Sequence, residues 1–188
     1  MTRLREITIH PHDGSEPCVI ELFVPELPGE PDVTVVGSAN GVGKTMALEA
    51  AYRAAVDAGI SVAYRRQCCI YAAQAVTLMP GDAEILAPWA QHPSGRPLRD
   101  GDTLHLSAGL VTYLQDMRMI RDTPGVSLFL FDLPETFLNA QMQRTWVHTA
   151  TRLAPKAQFI IATHSEEIVA AVRPEARVIL RNDKEPTP

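Results

Sequence analysis

The chain has 188 residues, of which 46% are hydrophobic and 21% are charged. These proportions are typical of a folded globular protein and exclude a disordered or fibrous chain. The formal net charge of −5 provides no overall positive field, so strong nucleic-acid binding by this chain alone is not expected. The three cysteines match no zinc-ligand spacing, and no apolar run resembles a signal peptide or membrane span. We therefore expect a cytoplasmic protein with no membrane partner.

The sequence of the first third of the chain predicts a β-hairpin, followed by a strand, a helix and another strand. Extended segments at residues 6–9 and 18–24 flank a cluster of turn-forming residues, which is typical of an antiparallel hairpin. The β-branched run at 33–36 predicts a strand that is buried on both faces. An Ala-rich helix at 46–58 follows it, and then a strand at 60–64.

The remainder of the chain alternates helices with apolar strands after an irregular insertion at about 66–105. Ser107 is placed to cap a helix whose apolar residues recur at helical spacing. The later elements are a strand at 126–131, a helix near 138–153, a strand at 159–162, a short helix at 165–171, a strand at 177–180 and a disordered tail at 182–188. The alternation predicts an α/β fold with a mainly parallel central sheet, flanking helices and the N-terminal hairpin, in a single domain over residues 1–181.

A glycine-rich loop lies between the strand ending at Val36 and the helix beginning near Met46. Glycines allow backbone N–H groups to surround a polyphosphate, Lys44 can reach the outer phosphates, and the Thr45 hydroxyl can ligate Mg²⁺. Ser38 stands where the usual pattern has its first glycine. The strand before the loop and the helix after it favour a phosphate-binding loop over a chance turn. The predicted nucleotide-binding residues of this loop are Ser38, Ala39, Asn40, Gly41, Val42, Gly43, Lys44 and Thr45.

Three further segments carry polar groups that can act at the same site. Asp132 follows an apolar strand and is the predicted metal partner of Thr45, because parallel strands bring their carboxyl ends to one edge. His164 follows the next apolar strand and can contact the terminal phosphate or the attacking water. Ser107 and Gly109 begin a helix and can offer a hydroxyl and N–H groups to an anion, although an ordinary helix cap is the default interpretation of this segment taken alone.

Together these motifs resemble the nucleotide-binding head of ABC-type ATPases. The resemblance is to the AAA-labelled group related to SMC-type repair proteins and to the ATPase domains of overcoming-lysogenization-defect nucleases, and it rests on residues 40–45, 106–109, 132–138 and 161–165. It implies ATP and Mg²⁺ as cofactors. It also implies a homodimer or heterodimer in which ATP lies between one subunit's phosphate loop and Ser107 and Gly109 of the other. An effector protein encoded nearby is the expected partner.

The chain departs from this family at the position of the catalytic base. Family members usually have Asp-Glu-Pro-Glu, in which the first glutamate polarises the attacking water, whereas this chain has Leu133 there. A positioned base contributes about 10²–10⁴ in rate, so we expect ATP binding with slow hydrolysis. His164 and Glu135 are the remaining candidate catalytic residues. Gln67 and Gln74 compete for the place of the metal-contacting glutamine that the resemblance implies.

Other functions stay open at this point. The chain is either a slow ATPase or a pseudo-ATPase, a binding module in which ATP acts as a conformational switch without turnover. A small-molecule P-loop kinase is a weaker alternative, because it leaves the segments at 107–109 and 163–165 unexplained. Relatives with these motifs serve DNA repair or phage defence, and that role extends to this chain by analogy only.

Overall fold

The computed structural model describes residues 2–10, 16–38, 43–66 and 72–180. The strands in these ranges are β1 Glu6–Ile9, β2 Cys18–Glu21, β3 Asp32–Ser38, β4 Val62–Arg65, β5 Gln74–Thr77, β6 Thr103–Leu106, β7 Leu128–Asp132, β8 Gln158–Thr163 and β9 Arg177–Leu180. The helices are α1 Lys44–Asp57, α2 Asp82–Leu86, α3 Ala108–Arg121, α4 Ala140–Leu153 and α5 Glu166–Ala170, and a 3₁₀ turn at Pro174–Ala176 precedes β9.

A five-stranded sheet with the order β4-β7-β8-β3-β9 lies at the centre of the molecule. All of its neighbouring strands run parallel. β8 pairs with β7 on one side and with β3 on the other, and every one of its residues is buried. Continuous burial explains why the apolar runs of β3, β7 and β8 show no alternation in sequence. The predicted α/β fold with a parallel central sheet is confirmed.

The two faces of this sheet carry separate hydrophobic cores. Phe129 and Phe159, whose rings stack with centroids 5.3 Å apart, belong to the core formed with α3 and α4. Leu130 and Ile160 belong to the core formed with α1 and the β1–β2 hairpin. Successive residues of a strand point to opposite faces, so one apolar run serves both layers. The result is a three-layer arrangement, with one core on each face of the sheet. Residues that follow the strand ends lie at the edge of these cores and can carry a function.

The N-terminal hairpin and the element boundaries agree with the sequence predictions to within a few residues. β1 and β2 pair antiparallel, with Glu6 opposite Glu21. α1 begins at Lys44, two residues before the predicted start, and β9 has the predicted bounds. Ser107 accepts a hydrogen bond from the backbone N–H of Leu110 and caps α3 as expected.

The insertion is more regular than the sequence predicts, and that prediction needs correction within residues 74–106. β5 and β6 form an antiparallel pair, and α2 lies between them in the chain. The fully buried Asp82 carboxylate accepts hydrogen bonds from Arg118 and Arg121, which fixes α2 to α3. Strands of four residues are too short to show a period in sequence, and side chains from a distant helix stabilise this segment.

The predicted tail at 182–188 lies outside the described residues. Within the described part of the chain, no helix combines the length and the apolar character that crossing a membrane requires.

Candidate nucleotide-binding site

The carboxyl ends of three neighbouring strands meet the N-terminus of α1 at one edge of the sheet. β3 leads into the glycine-rich loop, β7 ends at Asp132, and His164 directly follows β8. α1 begins at Lys44, immediately after the loop. We call the group formed by Lys44, Thr45, Asp132, Glu135 and His164 the carboxyl edge, because it lies where a parallel sheet usually binds its ligand.

The N-terminus of α1 differs from the N-termini of the other long helices. Its N-cap residue, Gly43, has a φ of 75° and no side chain that could cap the helix. Ser107 and Asn139 cap α3 and α4 by accepting a backbone N–H hydrogen bond. The first turn of α1, like those of α3 and α4, has no acidic residue, so only the missing side-chain cap sets α1 apart. The partial positive charge of this helix end therefore favours an external anion.

Thr45 and Asp132 lie side by side, as the sequence predicts. The Thr45 hydroxyl donates to Asp132 Oδ2 at 3.2 Å, although the two residues are 87 positions apart. Asp132 is 8% exposed. Burial raises the pKa of its carboxyl group, and the hydrogen bond from Thr45 opposes that rise. Hydroxyl and carboxylate oxygens are the hard ligands that Mg²⁺ prefers, so this pair fits the metal that the motifs imply.

The described residues supply only part of a metal coordination shell at this edge. Among residues 2–10, 16–38, 43–66 and 72–180, no three His, Cys, Asp or Glu side chains cluster to hold a metal ion. Mg²⁺ commonly takes one or two protein carboxylates and completes its shell with phosphate oxygens and water. The donor set therefore fits a metal that arrives with a phosphorylated ligand.

Lys44 is a buried cation at the centre of the carboxyl edge. The residue is 6% exposed, and its Nζ lies 3.4 Å from His164 Nδ1. Burial lowers the pKa of the Lys44 ammonium, while Glu135 and Asp132 raise it. Two residues 120 positions apart in sequence thus belong to one polar cluster with two carboxylates.

Glu135 belongs to this cluster, and it lies in a sharp turn of the chain that follows β7. Leu133 adopts a φ of 50°, a left-handed conformation that is uncommon for a residue other than glycine. Glu135 Oε2 accepts from the Thr163 hydroxyl at 2.7 Å, and Oε1 accepts from the His164 backbone N–H at 2.7 Å. The sequence predicts Glu135 as a candidate residue and gives no signal for its contact with Thr163.

Ser107 and Gly109 make a different set of contacts. Ser107 is exposed at the start of α3, and both residues line a cavity of about 160 Å³ together with Trp89 and Phe137. A Cβ atom added at Gly109 would lie 2.3 Å from the Phe137 carbonyl oxygen. Close packing against the turn after β7 therefore explains the glycine at 109, while Ser107 faces outward.

For the other predicted residues, the described part of the chain shows no contact at this edge. Ser38 is the last residue of β3, and its side chain is not described. The loop residues Ala39, Asn40, Gly41 and Val42 lie outside the described residues, as does Gln67. Gln74 is exposed and begins β5, where it pairs with Leu106.

The fold of this chain is similar to that of a solved structure described as a putative ATP-binding protein. No protein-family model matches the sequence, and no curated protein matches it. A putative ABC transporter ATP-binding protein from Pyrococcus furiosus is 13% identical, with a TM-score of 0.56 over 94% of this chain and 95% of that chain.

Two structures of the replication initiator DnaA align less well. One is bound to AMPPCP and single-stranded DNA and has a TM-score of 0.43 and 17% identity over 82% of this chain and 42% of that chain. The other is domain III of the Thermotoga maritima protein, with a TM-score of 0.41 and 14% identity over 82% of this chain and 56% of that chain. These scores are too low to carry an argument. At 13% identity over almost the full length of both chains, the likeness to the Pyrococcus protein shows a shared α/β fold.

Proposed function

We propose that this protein binds ATP together with Mg²⁺ at the carboxyl edge. The observation that carries the proposal is the contact between Thr45 and Asp132 beside the buried Lys44, at a helix N-terminus that has no capping side chain. A buried cation, a pair of hard oxygen ligands and an open helix N-terminus suit a charged polyphosphate with its metal. Each feature alone has a structural explanation, and their convergence favours a nucleotide.

In this proposal, each residue has a distinct role. Thr45 and Asp132 would hold Mg²⁺, which when bound neutralises negative charge on the phosphates. Lys44 and the first N–H groups of α1 contact the phosphate oxygens, together with residues 38–43 of the loop. His164 lies next to Lys44 and is placed to contact the terminal phosphate.

We further propose that hydrolysis is slow and that ATP drives dimerisation. Leu133 follows Asp132 at the position where the family has its base, and an aliphatic side chain there cannot accept a proton. Ser107 is exposed at the start of α3, as a residue that contacts ATP from a second subunit must be. The dimer is formed with an identical or a paralogous head, and it switches or energises an effector protein of the DNA-repair or phage-defence type by analogy.

Nucleotide binding is tested by thermal melting with and without Mg-ATP. Ligand at 100 times its dissociation constant adds about 2.7 kcal/mol of stability, a shift of several degrees for a domain of this size. Lys44→Ala should remove the shift, whereas Lys156→Ala, at an exposed lysine in the segment after α4, should keep it. A folded wild-type protein whose melting temperature does not change with Mg-ATP would exclude the nucleotide proposal.

Dimerisation is tested by sedimentation in the presence of Mg-ATP. The wild type, alone or mixed with a paralogous head, should shift from monomer toward dimer. Ser107→Arg should block this shift and retain the melting shift with ATP, because Ser107 contacts only the second subunit's nucleotide. A strictly monomeric ATP complex under both conditions would favour the kinase alternative.

The pseudo-ATPase is the second candidate function, and Leu133 is the observation that favours it. Single-turnover hydrolysis distinguishes the two candidates once ATP binding is established. A wild-type rate of about 1 s⁻¹ or faster lies in the ordinary enzyme range and would exclude the pseudo-ATPase. A rate no greater than that of Asp132→Ala would support it.

A further inference from the structure

We propose that Glu135 positions His164 and does not serve as the general base that replaces the glutamate missing at position 133. This inference rests on the proposed ATP-binding function, because His164 acts on the terminal phosphate in that function. Its basis is the geometry at the ends of β7 and β8.

The two carboxylate oxygens of Glu135 contact consecutive residues at the end of β8. Oε2 accepts from the Thr163 hydroxyl and Oε1 from the His164 backbone N–H, each at 2.7 Å. Thr163 is fully buried. Hydrogen bonds to an ionised acceptor are shorter and about twice as strong as neutral ones, and two of them hold the carboxylate in one orientation. Glu135 is therefore an anchor between two strand ends.

Further hydrogen bonds fix both sides of this anchor. The Leu138 N–H donates to the Glu135 carbonyl oxygen at 2.9 Å, which closes the turn that carries Glu135. The Ser165 N–H donates to the Thr163 hydroxyl oxygen at 2.9 Å, and the Ser165 hydroxyl donates to Gln143 Oε1 at 2.7 Å. Neither the turn nor the end of β8 can move freely. The backbone on both sides of His164 is thus held in place.

This arrangement is unsuited to general base catalysis by Glu135. A base needs an oxygen within hydrogen-bond reach of the attacking water and must accept a proton from it. Protonation of Glu135 would neutralise the carboxylate that both Thr163 and His164 use as their acceptor. If Glu135 took up a proton from the attacking water, its hydrogen bonds to Thr163 and His164 would weaken. This would happen during hydrolysis, when His164 has to stay in place.

The anchored backbone places the His164 ring beside Lys44. Its Nδ1 lies 3.4 Å from Lys44 Nζ, and Lys44 is the residue proposed to contact the outer phosphates. His164 is exposed, so its ring has little packing of its own to orient it. Glu135 supplies that orientation through the backbone, which makes it a positioning residue.

The two roles of Glu135 predict different results for Glu135→Gln and Glu135→Ala. Glutamine keeps an oxygen that accepts from the His164 N–H and an amide N–H that can donate to the Thr163 hydroxyl. Single-turnover hydrolysis in Glu135→Gln should stay within about threefold of wild type, whereas Glu135→Ala should lose about tenfold or more. If Glu135 were the base, both variants would lose about 10²-fold or more, and that outcome would overturn the proposal.

A second measurement is independent of ATP and of catalysis. The His164 amide is protected from hydrogen exchange by its bond to Glu135, so its exchange in the nucleotide-free protein should accelerate about tenfold or more in Glu135→Ala. Glu135→Gln should restore the protection. Glu166→Ala removes an exposed carboxylate two residues from His164 and should leave the exchange rate unchanged. Unchanged exchange in Glu135→Ala would overturn the anchoring role.

The melting shift with Mg-ATP separates failure of this inference from failure of the proposed function. If the wild type shows no shift, the ATP-binding proposal fails, and the exchange measurement still decides whether Glu135 anchors His164. If the wild type binds ATP, and either both variants lose about 10²-fold in hydrolysis or Glu135→Ala leaves the His164 exchange rate unchanged, the positioning role alone is excluded.

Discussion

The two ends of the central sheet both bury polar groups, and they use them differently. At the end where the strands begin, the Gln158 side chain accepts from the Leu4 N–H at 3.0 Å and donates to the Leu4 carbonyl at 2.9 Å. Asp32 lies opposite Gln158 in the β3–β8 register and 3.0 Å from Arg3. We call this group the amino edge. Its polar groups connect parts of the chain to one another.

The carboxyl edge instead concentrates charge around a helix N-terminus. Lys44 and Asp132 are both buried there, with Glu135 nearby. Burying charges costs free energy, and their mutual attraction often fails to offset it. Sites of this kind are frequently functional. The contrast is therefore between polar groups that pair with one another at the amino edge and charges that lie beside a helix N-terminus at the carboxyl edge, where the proposed ligand would bind.

The largest expected change in the free energy of unfolding is caused by Gln158→Leu, at the amino edge. Leucine has a similar volume and lacks both hydrogen-bonding groups, so it leaves the Leu4 N–H and carbonyl without these partners. The free energy of unfolding should fall by about 3 kcal/mol, measured by urea denaturation. Gln141→Leu, at an exposed position of α4, is the matched control and should change stability little. A loss for Gln158→Leu no larger than that of the control would contradict the structural role of this edge.

The next largest effect is a pH dependence of the free energy of unfolding that is caused by Asp32. Burial raises the pKa of Asp32 to about 6 in the folded protein, against 3.8 ordinarily, and Arg3 opposes that rise. The unfolded chain therefore ionises first as pH rises, and the contribution of Asp32 to stability falls between about pH 4 and pH 6. Wild type should lose about 2 kcal/mol relative to Asp32→Asn between pH 4.5 and pH 7, measured from paired denaturation curves. A difference that is constant or increases with pH would show that the Asp32 pKa is not raised.

A smaller effect is expected at the carboxyl edge, in Leu133→Glu. If Leu133 occupies the position of the missing base, a glutamate there should raise single-turnover ATP hydrolysis by about tenfold or more, and by less than the full 10²–10⁴ because grafted groups are imperfectly placed. Asp132→Ala in the same background should remove the gain. A Leu133→Glu protein that binds ATP and dimerises without any gain would show that position 133 does not face the attacking water.

The smallest effect is expected for the unliganded stability of Lys44→Met. Burial lowers the pKa of the Lys44 ammonium, so its removal relieves a desolvation cost while Asp132 and Glu135 lose a neighbouring positive charge. These changes oppose each other, and we expect the free energy of unfolding to change by less than about 1 kcal/mol, with loss of the ATP-induced melting shift. A destabilisation as large as that of Gln158→Leu would remove the distinction between the two edges.

The sequence predicts most of the fold because burial on both faces leaves a strong signal. The apolar runs of β3, β7 and β8 identify the central strands. Helical spacing and the Ser107 cap identify α3. The proximity of Thr45 and Asp132 follows from topology alone, since both lie where parallel strands and their following helices converge.

The features that the sequence does not predict depend on backbone conformation or on distant pairing. The anchoring of Glu135 occurs in a turn where Leu133 has a left-handed conformation. A leucine in the sequence does not indicate such a conformation, because it is uncommon for residues other than glycine. The Gln158 side chain pairs with Leu4, 154 positions away, through contacts that leave no periodic pattern. Asp82 and its arginine partners similarly order an insertion that has no period of its own.

The distances along the chain between the residues of the carboxyl edge have a consequence for folding. Lys44 meets His164 across 120 positions, and Thr45 meets Asp132 across 87. Such contacts need the assembled sheet, in which β8 lies between β7 and β3, and contacts between distant parts of a chain are slow to form during folding. During synthesis the glycine-rich loop emerges well before residues 132–164, so a nascent chain carries the loop without the rest of the carboxyl edge. A nucleotide that needs all of these groups would therefore bind only to chains in which the central sheet is complete.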